Sequence, residues 1–274
     1  MAEVQRPARP LTGRSALITG VSRPGGIGAT LARRLGSDGA RLFLTGWAES
    51  DSTWARDADP RGGEAIGDDL RREGIDALYR EVDLSDPSAP GRLVREARSV
   101  LGRLDILVVN HARSATESLF ELTAEELDLS FAVNSRSTLL LVRHFAEQHD
   151  GPNGGRVVLF TSGQYHGAMP GELPYIASKA VVQQLTPSLA VELAPRGITV
   201  NCVDPGPNDT GYATEELHRW VADAIPAGRW GTPHDAARLV AWLCSDESDW
   251  VTGQTIASDG GWSAHPGGRR SPGS

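Results

Sequence analysis

Ser15-Ala16-Leu17-Ile18-Thr19-Gly20-Val21-Ser22-Arg23-Pro24-Gly25-Gly26-Ile27-Gly28-Ala29-Thr30-Leu31-Ala32-Arg33-Arg34-Leu35 reads as three pieces in a fixed order. Ser15 to Ile18 make a short strand, the glycines from 20 to 28 a tight turn, and the spacing beyond predicts an amphipathic helix over 27–36. Glycines at such a junction let the backbone turn sharply and bring amide N–H groups and a helix N-terminus against a pyrophosphate. An ordinary βα turn without a ligand is the alternative. The spacing does not fit the GxGxxG dinucleotide fingerprint.

The same alternation continues outward. Apolar runs at Arg41-Leu42-Phe43-Leu44, Ala77-Leu78-Tyr79, Ile106-Leu107-Val108-Val109, Val157-Val158-Leu159-Phe160 and Ile198-Thr199-Val200 are separated by amphipathic stretches at 63–73, 87–101, 123–149 and 174–194. Strands apolar on both faces, with helices between them, predict a Rossmann-type doubly wound α/β fold of about seven parallel strands. No repeat or linker divides the chain, so one domain is expected over 13–262. Residues 1–12 and 263–274, rich in Pro, Gly, Ser and Arg, are expected to be flexible ends. In such a sheet ligands bind beyond the carboxyl ends of the strands, so function is sought just after each apolar run.

Composition narrows the classes. With 274 residues, 39% apolar and 23% charged, the chain can bury a large core. It carries no apolar run long enough to span a bilayer and no basic-then-apolar leader, so a cytoplasmic location is expected. The net charge is −8 and the basic residues do not cluster beyond Arg269-Arg270, which argues against a nucleic-acid partner. Cys202 and Cys244 sit in apolar surroundings without CxxC spacing and read as small buried hydrophobes. His144 and His149, five apart, do not stack on one helical face, so no metal site is assigned and they read as solvated helix histidines.

Tyr175-Ile176-Ala177-Ser178-Lys179 places a phenol and an ammonium four apart on one face of the helix predicted over 174–194. A phenol with a pKa near ~10 is a poor base at neutral pH, and a neighbouring cation brings it toward working range. A surface Lys above a core Tyr is the plainer alternative for an isolated pair. This pair is not isolated: Ser162 lies 13 residues before Tyr175 at the end of an apolar run, and Asn134 lies 28 residues before Ser162.

That set, in that chain order, resembles the Asn, Ser, Tyr and Lys tetrad of the short-chain dehydrogenase/reductase family, and the resemblance extends from Arg14 to Trp262. The loop from Gly20 resembles the family's TGxxxGxG loop with two extra residues before Gly26. Asn110 falls on the NNAG segment, here with Val109 and Ala112 at its ends. Pro205-Gly206-Pro207-Asn208-Asp209-Thr210 is similar to the PGxxxT turn that holds the nicotinamide carboxamide, and Ser258-Asp259-Gly260-Gly261 to a subunit-contact segment. Bacterial 3-oxoacyl-(acyl-carrier-protein) reductases are the most similar subgroup. For Asp83 and Asp259, a turn-forming role is the alternative to the family one.

The resemblance implies a homotetrameric oxidoreductase in which Tyr175 protonates a carbonyl oxygen, Ser162 polarises it, Lys179 lowers the Tyr pKa and holds the nicotinamide ribose, and Asn134 supports a proton-supplying water chain. The implied cofactor contacts are Gly20, Ser22, Arg23, Gly26, Ile27, Gly28, Thr45, Asp83, Leu84, Asn110, Tyr175, Lys179, Pro205, Gly206 and Thr210. Leu44-Thr45-Gly46-Trp47 offers no carboxylate for the ribose hydroxyl of NAD, while Ser22 and Arg23 suit a 2′-phosphate, so NADP(H) is expected. Glu49 and Asp51 keep NAD(H) open. Residues 164–173 and 211–230 are expected to line a small-molecule substrate. Leu217, Trp220, Val221 and Ile225 have the spacing of an amphipathic lid, or of packing on the chain's own core. An NAD-dependent alcohol or sugar dehydrogenase, a natural-product tailoring ketoreductase and a non-catalytic dinucleotide-binding regulator are the competing readings.

Overall fold

The computed structural model describes residues 8–47, 61–150, 154–210 and 215–264. The strands are β1 (Ser15–Thr19), β2 (Arg41–Gly46), β3 (Ala77–Glu81), β4 (Ile106–Val109), β5 (Gly155–Phe160), β6 (Ile198–Asp204) and β7 (Thr255–Ala257). They form one sheet in the order β3-β2-β1-β4-β5-β6-β7, parallel throughout. This is the doubly wound fold the alternation predicts. Strand order reverses at β1, between β2 and β4, which places the switch point beside the glycine turn.

Side chains alternate along each strand, so each strand feeds two cores. Ala16 and Ile18 of β1 pack with helices α1 (Ile27–Ser37), α2 (Gly62–Arg72) and α8 (Pro233–Leu243). Leu17 joins the opposite layer, with α3 (Ala89–Leu101), α5 (Ser137–Gln148) and α6 (Leu173–Leu193). Between β4 and α5 the chain forms α4 (Ala124–Ser130) and a turn of π-helix, Phe131–Arg136. The remaining helix, α7 (Glu215–Ala224), carries Val221, which with Ile225 and Trp230 makes a satellite cluster joined by Leu217, Trp220 and Trp262. The spacing of the expected lid is thus accounted for by packing within the chain, and it says nothing of the substrate.

Ion pairs close the amino-terminal edge of the sheet. Buried Arg14 and Arg156 reach Asp246 and Asp249, and Asp105 accepts from Arg103 at 2.9 Å and from the Ser15 amide at 2.9 Å. Order also reaches beyond the expected limit at residue 13: Leu11 is fully buried and its amide bonds to the Asp38 carbonyl at 2.8 Å, an apolar anchor that composition averaged over 1–12 conceals. Among the described residues no helix is long and apolar enough to cross a membrane.

The β1–α1 junction is tight because glycine leaves room for backbone alone. A Cβ at Gly28 would lie 2.0 Å from the Gly20 carbonyl oxygen. Gly28→Ala should therefore separate β1 from α1, lowering stability by about 2 kcal/mol or more. Urea unfolding with an unchanged midpoint would show that the two elements do not approach this closely.

Candidate active site

The carboxyl ends of β1, β4, β5 and β6 converge, and α6 runs beside them. Lys179, buried on α6, donates from Nζ to the carbonyl of Phe160 at 2.9 Å, the last residue of β5 and two before Ser162. One turn earlier on α6 stands Tyr175, half-buried like Ser162. Its carbonyl accepts from the Ser178 hydroxyl at 2.8 Å, and that hydroxyl accepts from the Asn134 amide at 2.9 Å. One short hydrogen-bond path thus joins Asn134 to the backbone of Tyr175, and another joins Lys179 to the strand that leads to Ser162.

Asn134 lies in the π-helical turn, and its side chain is fully engaged. Oδ1 accepts from the Arg113 amide at 2.7 Å, and Nδ2 donates to the Arg113 carbonyl at 2.9 Å as well as to Ser178. Arg113 is itself fixed by a two-armed ion pair with Glu126, at 2.7 and 2.6 Å, which holds the Glu126 carboxyl below its ordinary pKa. A single extra residue per turn, as in a π-helix, often marks a functional position.

His111 is a member of this site that sequence reading passes over. Its Nδ1 lies 2.7 Å from the Thr19 hydroxyl, and its Nε2 lies 2.9 Å from the Val133 carbonyl and 2.8 Å from the Ser137 hydroxyl. A carbonyl only accepts, so Nε2 carries the hydrogen and Nδ1 takes the proton of Thr19. Burial first, and the Lys179 charge second, lower its pKa to about 4, so the ring is neutral at pH 7. The one sequence signal is a histidine directly after Asn110 at a strand end.

The glycine turn fits a dinucleotide. Gly20 has φ +74°, and a Cβ there would meet the Asn110 amide at 2.8 Å. Asn110 donates to the Gly20 carbonyl at 3.1 Å and seals the turn. Gly26 caps α1 with no side-chain hydrogen bond, and Ile27 and Gly28 open the helix, so first-turn amides face the cleft as phosphate donors. Ser22 is buried beside the end of β2, its Cβ 2.8 Å from where a Cβ of Gly46 would stand. Thr45 contributes through its carbonyl, which accepts from Val21 at 2.9 Å, while its own side chain is buried.

Arg23, expected at a 2′-phosphate, donates from Nη1 to the Thr210 carbonyl at 3.1 Å, tying the glycine turn to the loop after β6. Asp83 closes a turn with both oxygens accepting from Ser85 at 2.8 Å, the alternative its residue type left open. Leu84 is buried in the core beside Leu17 and Phe43. In the turn after β6, the Gly206 amide donates to Asp204 at 2.9 Å, and the Asn208 amide folds back onto the Pro205 carbonyl. Glu49, Asp51 and residues 211–214 lie outside the described residues. Cys202 and Cys244 are buried thiols whose pKa burial pushes up to about 12. Among the described residues no group of three or more His, Cys, Asp or Glu side chains could hold a metal ion.

The chain is similar to known proteins over nearly their whole length. A family described as enoyl-(acyl carrier protein) reductase matches residues 20–263. An uncharacterized oxidoreductase of Bacillus subtilis, YjdA, is 42% identical over 90% of this chain and 96% of its own. A chloroplastic NADPH-dependent aldehyde reductase-like protein of Arabidopsis thaliana is 32% identical over 95% and 98%. Among solved structures, a blue fluorescent protein from a metagenomic library in complex with NADPH superposes with a TM-score of 0.80, at 31% identity over 92% of this chain and 99% of that one.

Burial lowers the Lys179 pKa from 10.5 to about 8. The folded value lies below the unfolded one, so the fold bears the cost of a buried cation below pH 8 and is relieved of it above 10.5. That cost is about 3 kcal/mol. The stability difference between Lys179→Met and the wild type should shift toward the wild type by about that amount as pH rises through this window. A flat difference in denaturant melts would show that Lys179 titrates normally.

Proposed function

Because this chain belongs to the short-chain dehydrogenase/reductase family of NAD(P)-dependent oxidoreductases, we propose that it transfers hydride between NADPH and a ketone or secondary alcohol. The observation that carries the reading is the pair of hydrogen-bond paths, Lys179 to Phe160 and Asn134 through Ser178 to the Tyr175 carbonyl, which fix the helix of Tyr175 and Lys179 against the strand that leads to Ser162 and the turn that carries Asn134.

Gly20, Ser22, Gly26, Ile27, Gly28, Asn110 and the Pro205–Thr210 turn would hold the dinucleotide, with Asp83 and Leu84 flanking the adenine. When bound, it supplies hydride to the carbonyl carbon. Ser162 donates to the carbonyl oxygen, and Tyr175 passes its phenolic proton to the same oxygen. Lys179, cationic below pH 8, stabilises the phenolate left behind. Asn134, its side chain committed to Arg113 and Ser178, keeps the π-turn in place for the proton supply.

NADP(H) is favoured over NAD(H). Thr45, Gly46 and Trp47 carry no carboxylate to repel a 2′-phosphate, and Ser22 and Arg23 in the glycine turn could donate to one. The NADPH held by the metagenomic protein supports the same choice. From the family we also infer a homotetramer in the cytoplasm, built on a single nucleotide-binding domain over 13–262.

Fluorescence titration should give NADPH binding at least ~10-fold tighter than NADH. A preference for NADH would place a carboxylate from beyond β2 at the ribose, and binding of neither would end the enzyme reading. Tyr175→Phe keeps the ring and removes the proton. Carbonyl turnover should fall at least ~100-fold with nucleotide affinity little changed, and undiminished turnover would remove Tyr175 from the chemistry.

A further inference from the structure

One buried carboxylate stands at the ligand-binding edge without a part in the reaction above. Asp204 ends β6 and is only 1% exposed. Val203 pairs with Phe160 of β5, and the Val203 carbonyl accepts from Thr161 at 2.9 Å. Asp204 therefore lies at the strand end beside Thr161 and Ser162. Its Oδ1 accepts from the Gly206 amide at 2.9 Å, and its Oδ2 lies 3.2 Å from His166 Nε2, an ion-pair distance at which the two are not aligned for a hydrogen bond.

The titratable and polar groups around it come from three loops and from β6 itself. Tyr165 and His166, ring centres 3.8 Å apart, come from the turn after Ser162. Gly206 belongs to the turn after β6, and Asp259 to the segment after β7. The Cys202 thiol lies below, on β6 itself. Burial pushes the Asp204 carboxyl pKa up, so the fold bears a cost here that an apolar side chain would avoid. Burial and the Asp204 charge likewise keep the Tyr165 phenol protonated, leaving it a donor.

We propose that Asp204 is a positioning residue: through His166 and the Gly206 amide it latches the turn after Ser162 to the turn after β6, so that both walls of the carbonyl site are set as one unit. This rests on the carbonyl-reductase reading above. The tie to His166 is electrostatic: a carboxylate carries a charge that attracts a protonated imidazole, and an amide carries none. Asparagine therefore cannot hold the two turns together. Gln164 already ties the first turn to its own base, bonding the Ser162 amide at 3.2 Å and the Thr161 hydroxyl at 2.8 Å. Asp204 adds the tie that crosses between strands.

The test uses Asp204→Asn and His166→Phe, the second keeping the aromatic contact with Tyr165. In hydrogen-exchange mass spectrometry, each variant should speed exchange across the cleft: Asp204→Asn over 163–170 and His166→Phe over 204–210. In kinetics, each should raise KM for a carbonyl substrate at least ~10-fold, and the double variant should be no worse than either single one. Exchange that changes only beside the substituted residue, or additive effects on KM, would overturn the latch. Should Asp204→Asn fail to fold, His166→Phe decides alone by exchange over 204–210. Should the wild type turn over no carbonyl, the reductase reading fails, while the exchange arm still tests the latch.

Discussion

The bond from Lys179 to the Phe160 carbonyl is the contact on which the site depends. It joins the helix that carries the phenol to the strand that ends in Ser162, and it does so with a cation taken out of water. An ammonium has three donors, and one is spent on this carbonyl. Under the proposed reading, the remaining donors and the charge serve the phenol four residues earlier on the same helix. An apolar residue at 179 would relieve the fold and leave α6 and β5 packed but chemically inert. The depressed pKa of this lysine is thus the thermodynamic trace of a requirement other than folding.

Around this contact the polar groups divide into those already satisfied and those left available. Asn134 spends its side chain on Arg113 and Ser178, and His111, neutral and donating to Val133, spends both nitrogens on the protein. Neither is free to reorient, so the floor of the cleft is rigid before any ligand enters. The amides at the start of α1, beyond the reach of intrahelical bonds, and the half-buried Ser162 face the other way in this division. Preorganisation of this kind places donors where charge will develop without reorganisation at that moment.

Much of this was legible in the sequence, and the boundary of legibility is physical. The fold follows from period: runs such as Val157 to Phe160, apolar at every position, can only be central strands of a sheet covered on both faces. The glycine turn and the Asn, Ser, Tyr and Lys residues show through fixed spacing. The other members act across the chain. His111 acquires its surroundings from Thr19 and Val133, and Arg23 meets Thr210, 187 positions away, where charge at a strand end suggested a phosphate. Leu217, Trp220, Val221 and Ile225 have one helical spacing whether they cover a substrate or one another, and only Trp230 and Trp262, from other segments, decide it. The π-turn around Asn134 is equally silent, since apolar periodicity does not register one added residue.

A parallel sheet fixes its strand ends to within the ladder's register but leaves the loops beyond them free, and a hydride transfer tolerates little looseness. Here the loops are cross-tied by polar contacts in sequence: Arg23 from the glycine turn to Thr210, Gly206 back to Asp204, Asp204 across to His166, and Gln164 into the base of Ser162. Arg23 to Thr210 and Asp204 to His166 link segments remote in the chain, while Gly206 to Asp204 and Gln164 to Ser162 brace single turns. They bind neighbouring walls together without filling the space between them, which an apolar contact of equal strength would do. Under the proposed reading, residues 167–173 and those beyond 210 choose the substrate, while the ties and the buried lysine keep the reacting groups in place.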